Sequence, residues 1–131
     1  MMVNAINAED VRLVQKLPNG QDVKLRFQKE ACFADNLKRH IYKSGYRTQG
    51  FSGDLSNFEV DDELNPLYII TLYDKTIGYT GNEATGILTV NPMNGEIKEY
   101  NLADAPTWID RMQPKEFCHT QFDNWGKWIH G

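Results

Sequence analysis

Four carboxylates crowd residues 59 to 63, as Glu59, Asp61, Asp62 and Glu63. Several carboxylate oxygens at this density could hold a hard cation such as calcium. An EF-hand loop spaces its ligands at alternate positions around a central glycine and closes on a glutamate, and that spacing is missing here. Asp61 to Pro66 is better suited to a polar reversal between two strands, with metal binding at the four carboxylates as the alternative.

Nucleophiles and bases are sparse. His40, His119 and His130 fall at no chelating spacing. Cys118 and His119 are adjacent, so on a helix their side chains point about 100° apart and do not converge on one ion. Glu116, His119 and Asp123 share a helical face, which suits a tuned proton-transfer group and equally a solvated surface. Cys32 and Cys118 lie far apart in sequence, and two thiols are the expectation over a disulfide. The glycines of GYTGNEATG, residues 78–86, lack the Gly-Lys-Ser/Thr of a phosphate loop and lead into a strand rather than a helix. These residues predict no cofactor, no metal and no catalysis. A small hydrolase using Cys118 or His119 is the enzymatic alternative.

The elements that would position such groups are easier to read. Three strand–turn–strand units stand out. In residues 11–27, Val23, Leu25 and Phe27 alternate with Lys24 and Arg26, which predicts a strand with one buried face after a turn at Pro18-Asn19-Gly20. Residues 57–74 form the second unit. Its return run, Leu67 to Tyr73, is apolar at nearly every position and should be a central strand covered on both faces. The third is GILTVNPMNGEIKEY, residues 86–100, where Asn94-Gly95 readily supplies positive φ for a reversal and the half-polar EIKEY should form an edge.

Between the first two units, Phe33, Leu37 and Ile41, with Ala34 beside them, give an apolar helical stripe ended by Lys43 and Gly45. A second helix is expected from Pro114 to Ile129, with Cys118, Phe122, Trp125 and Ile129 as its stripe and Gly126 weakening its last turn. A short turn around Trp108 to Met112 precedes it. Hairpins with helices in separate blocks define an α+β class: a mainly antiparallel sheet packed against two amphipathic helices.

With 131 residues and 40% hydrophobic content the chain suits one globular domain, residues 1–131. A net charge of -4 with scattered basic residues does not favour nucleic acid. No apolar run approaches the ~20 residues of a membrane span, and MMVNAINAED lacks the basic start and apolar core of a signal peptide. Aromatics are the remaining lead. Trp108, Trp125 and Trp128 crowd the last quarter, with Tyr46, Phe51 and Tyr79 in loops. Trp128 lies off the core stripe, where it could serve a binding surface or, as the favoured alternative, pack against a continuation of the helix beyond Gly131.

Residues 65–102, NPLYIITLYDKTIGYTGNEATGILTVNPMNGEIKEYNL, resemble the PepSY pattern of an aromatic-rich strand, a second strand and a V-[DN]-x-x-[TN]-G-E turn, matched by Val90, Asn91, Asn94, Gly95 and Glu96. With ADNLKRHIY, APTWIDRMQPKEF and DNWGKWIHG added, nearly the whole chain is similar to a module repeated in large bacterial or phage-borne membrane proteins. The resemblance implies a PepSY/cystatin-like fold and a fragment of a membrane-anchored parent, lying on the extracytoplasmic side. It brings no catalytic residues, and Asn91 stands where an aspartate is frequent. The expected function is a non-catalytic binding or regulatory module that engages a peptide, a peptidase, or other segments of the parent or an envelope protein. The binding residues would be Glu96, Lys98 and Tyr100, with Trp128 as a further candidate. A structural role in a membrane or phage-related assembly is the alternative.

Overall fold

The computed structural model describes residues 2–3, 11–12, 15–48, 50–51, 57–75, 82–110, 112 and 115–129, with the main chain alone at 2, 3, 11, 12, 116 and 129. Tyr79, Gly78, Gly81, Pro114, His130 and the side chains of Glu116 and Ile129 lie outside the described residues.

A two-stranded ribbon of β1 (Met2–Val3) and β2 (Val11–Arg12) precedes the helix α1 (Leu37–Lys43). There follow the short β3 (Gly50–Phe51), β4 (Asn57–Val60), β5 (Pro66–Lys75), β6 (Asn82–Val90), β7 (Ile97–Asn101) and the helix α2 (Lys115–Ile129). Strands β3 to β7 form one five-stranded antiparallel sheet. Both β3 and β4 pair with one side of β5, β6 lies on its other side, and β7 is the outer strand beyond β6. The class is α+β, as the separation of hairpins from helices predicts.

The apolar run of β5 is central and buried on both faces. Its even positions, Tyr68, Ile70 and Leu72, join Leu88 and Val90 of β6, Phe27, Phe51 and the α1 residues Leu37 and Ile41 in one core cluster. Its odd position Ile69 joins Ile87 and Ile109 on the opposite face, with Leu67, Leu102, Ala105 and Trp108 packed around them. The chain from Leu102 to Asp110 therefore folds back under the sheet as its second cover. Phe51, expected in a loop, is buried in β3.

Three expectations from pattern need correction. Residues 23–27 are not a strand. The Pro18-Asn19-Gly20 turn forms, with Lys16 and Asp22 paired in an antiparallel β-bridge and the Val23 N–H donating to the Gln15 carbonyl. Beyond it the N–H groups of Arg26 and Phe27 both donate to the carbonyl of Pro92, so the segment continues across the β6–β7 turn as a strap. Only Phe27 of the alternating set is buried; Leu25 is exposed.

Phe33 does not join the helical stripe either: it is 81% exposed at φ 52°. The helix begins later, because the Asn36 carboxamide accepts from the Arg39 N–H as an N-cap and donates to the carbonyls of Lys29 and Ala31. Those bonds close a loop over 29–36 and leave Phe33 at its tip.

Finally, α2 packs on the sheet through its first turns, while the outer part of its stripe stays exposed. Phe117 packs edge-on to Tyr73 at 4.9 Å, and the Gln121 side chain donates to the Asn82 carbonyl at 3.1 Å. Of the expected stripe, Phe122 is 75% and Trp125 52% exposed, because residues 102–110 already cover the sheet face that a full stripe would need. None of the described helices is long and apolar enough to cross a membrane.

Candidate functional site: the outer strand and its cleft

The β6–β7 hairpin is set by its turn. Asn91 Oδ1 accepts from the Met93 N–H, and Asn94 Oδ1 from the Glu96 N–H, while Gly95 takes φ 79°. A Cβ at Gly95 would stand 2.6 Å from the Phe27 ring, so close packing and handedness both require glycine. His40 of α1 bonds to the Gly95 carbonyl at 2.7 Å and stacks on Phe27 at 4.4 Å, which ties the turn to the helix.

From this turn the register runs Val90 to Ile97, Thr89 to Lys98, Leu88 to Glu99 and Ile87 to Tyr100. The Asn91 N–H donates to the Glu96 carbonyl, so bonded pairs alternate from there through Thr89–Lys98 and Ile87–Tyr100. The N–H and C=O groups of Ile97, Glu99 and Asn101 then point away from the sheet. Among the described residues no strand pairs with that side of β7.

Side chains alternate with the same period. Glu99 projects toward the α1 face, where the Tyr46 hydroxyl donates to its carboxylate at 3.1 Å. Partial burial, then this bond, then the charge of Glu99 together hold the Tyr46 phenol above its ordinary pKa. Burial alone does the same for Tyr68. Lys98 and Tyr100 project to the other face. There they border a cleft of about 290 Å³ with Glu96, Thr89, Leu67 and Trp108, closed at one end by Asp61, Asn65 and Asn91. Lys98 lies 3.5 Å from the Glu96 carboxylate, a solvent-exposed pair that adds little stability and leaves both groups able to exchange partners.

Of the residues expected to bind, Glu96, Lys98 and Tyr100 thus share one cleft, whereas Trp128 sits on α2 and does not line it. Trp108, Thr89 and Asn65 were not anticipated there. Counting back from the Asn94-Gly95 turn places Thr89 beside Lys98; nothing local shows that Trp108 folds back.

The acidic run is otherwise engaged. Asp61 accepts from the N–H groups of Glu63 and Asn65 and from the Asn65 carboxamide, and Glu59 accepts from the Asp110 N–H. Those bonds build the polar reversal that brings β4 into β5, with Leu64 at φ 64°. Asp62 and Glu63 lie exposed on the turn. Among the described residues no group of three or more His, Cys, Asp or Glu side chains could hold a metal ion. Cys32 is exposed and Cys118 half-buried, and no disulfide joins them.

Fold and cleft together define an α+β domain with an open-edged antiparallel sheet. Comparison of the chain with protein-family models, with curated proteins and with solved structures returns no match.

Proposed function

We propose that this chain is a non-catalytic binding module that takes up an extended peptide along β7. The observation that carries this is the outer side of β7, where the N–H and C=O groups of Ile97, Glu99 and Asn101 stand ready for another strand. Strand addition supplies affinity through the main chain, and side-chain pockets supply selectivity. Here the selective element is the cleft beside the edge. Lys98 offers an ammonium donor, Glu96 a carboxylate acceptor, and Tyr100 and Trp108 offer aromatic surface with a polar tip. An added strand would direct every second side chain toward these groups, which suits a peptide alternating aromatic or acidic residues with small polar ones. The PepSY-like turn adds the natural source: another segment of a membrane-anchored parent protein, or an envelope protein, on the extracytoplasmic side.

Panning displayed random dodecapeptides against the chain tests the proposal. Selected peptides should lose at least tenfold in affinity against Glu99→Pro, which removes an outward N–H and spares the β6 ladder. They should lose a similar amount against Tyr100→Ala, which alters only the cleft. Equal binding to wild type and both variants, with circular dichroism unchanged, would overturn the edge as the binding surface.

A further inference from the structure

Away from the sheet edge, the solvent face of α1 carries a concentration of one charge sign that the chain's overall balance conceals. Lys38, Arg39 and Lys43 of the helix and Arg47 of the following turn surround Tyr42 in a shallow hollow of about 390 Å³. All four cations are exposed, and no acidic side chain lines the hollow. Among the described residues none of the four is ion-paired; Asp35, the nearest acidic residue in sequence, is taken by Arg26 at 2.8 Å. Four of the 14 lysines and arginines of a chain with net charge -4 therefore gather on one short helix and the turn after it, and the rest of the molecule is correspondingly more acidic.

The opposite face of the same helix is locked to the core by Leu37 and Ile41, so the cationic face keeps a fixed outward orientation. The loop leading into the helix carries Phe33, 81% exposed on left-handed backbone at φ 52°. A phenylalanine held in that conformation and given to water costs free energy twice, which a partner accepting an aromatic ring would offset. Cations around an exposed tyrosine, with a phenylalanine in the adjoining loop, are the composition of a surface that lies on anionic lipid. A fitted protein partner would instead call for a mixture of charge signs and hydrogen-bond acceptors at such a patch.

We propose that the α1 face, through Lys38, Arg39, Lys43 and Arg47 with Phe33 as a shallow wedge, docks the domain onto a membrane surface rich in anionic phospholipid. This surface is separate from β7, so it stands or falls independently of peptide capture. Docking there would also fix which way the domain faces the bilayer.

Co-sedimentation with vesicles tests this. The chain should pellet with phosphatidylcholine vesicles containing 30% phosphatidylserine, stay in solution with phosphatidylcholine alone, and be released by salt. Each basic group near such a surface contributes about fivefold in partitioning, so the fourfold Gln variant (Lys38→Gln, Arg39→Gln, Lys43→Gln, Arg47→Gln) should lose about five hundredfold. Phe33→Ser should lose severalfold while keeping its salt dependence. All five positions are exposed, so thermal melts of both variants should match wild type. Failure of wild type to pellet with anionic vesicles, or pelleting undiminished in the fourfold variant, overturns the proposal. So does retention on polyglutamate beads without vesicle binding, which would assign the patch to an acidic protein.

Discussion

The two faces of the sheet are covered in opposite ways. On one, α1 and the strap through Phe27 seal a continuous cluster in which Leu37, Ile41, Ile70, Leu88 and Val90 are wholly buried. On the other, a smaller cluster around Ile69, Ile87 and Ile109 is covered by segment 102–110, which opens with a 3-10 turn at Leu102–Asp104, and a cleft remains between Trp108 and β7. The sealed face carries stability, and the half-covered face leaves polar side chains within reach of a ligand. Burial and binding are divided across one sheet because β5 and β6 supply apolar side chains to both faces, while β7 supplies Lys98 and Tyr100 to only one.

Substitutions should separate the two roles. The largest effect belongs to the sealed face: Ile70→Ala should lower unfolding free energy by about 3 kcal/mol, read from urea denaturation. Gly95→Ala comes next, at about 2 kcal/mol, because a Cβ both strains the positive φ and meets Phe27. On the half-covered face, Thr71→Val removes the hydroxyl that donates to the Met112 carbonyl at 2.9 Å, and should cost about 1 kcal/mol. Lys98→Ala in the cleft should stay within about 0.5 kcal/mol while weakening peptide binding. If Lys98→Ala destabilised as much as Ile70→Ala, the division between the faces would collapse.

The smallest effect is one of pH. Burial raises the Tyr68 pKa, so the folded state favours the neutral phenol. That contribution is fully present below the unfolded tyrosine pKa of about 10 and is lost as pH rises through the higher folded value. Urea midpoints at pH 9 and pH 11 should therefore fall less for Tyr68→Phe than for wild type. Identical falls would mean that Tyr68 titrates as it does in the unfolded chain.

Legibility in the sequence followed the range of the interactions. The β4–β5 and β6–β7 hairpins were readable because their turns are local: Asp61 with Asn65, and Asn91 with Asn94-Gly95, bond within a few residues. Central burial of Leu67 to Tyr73 was readable from composition. Phe33 leaves the stripe because periodicity at 33, 37 and 41 competes with the Asn36 cap, and the cap wins. The α2 stripe was a true helix signal, but a helical pattern does not reveal how much sheet is left to cover. The strap at 23–27 depends on Pro92, some 65 residues away, and the cleft depends on Trp108 returning beneath β7; neither contact leaves a local mark.

Amide hydrogen exchange on the free chain tests the open edge most directly. The N–H groups of Ile97 and Glu99 should exchange orders of magnitude faster than those of Lys98 and Tyr100, and should slow when a selected peptide is added. Slow exchange at Glu99 in the free chain, matching Lys98, would mean that β7 already has a neighbour on its outer side and is not a docking strand.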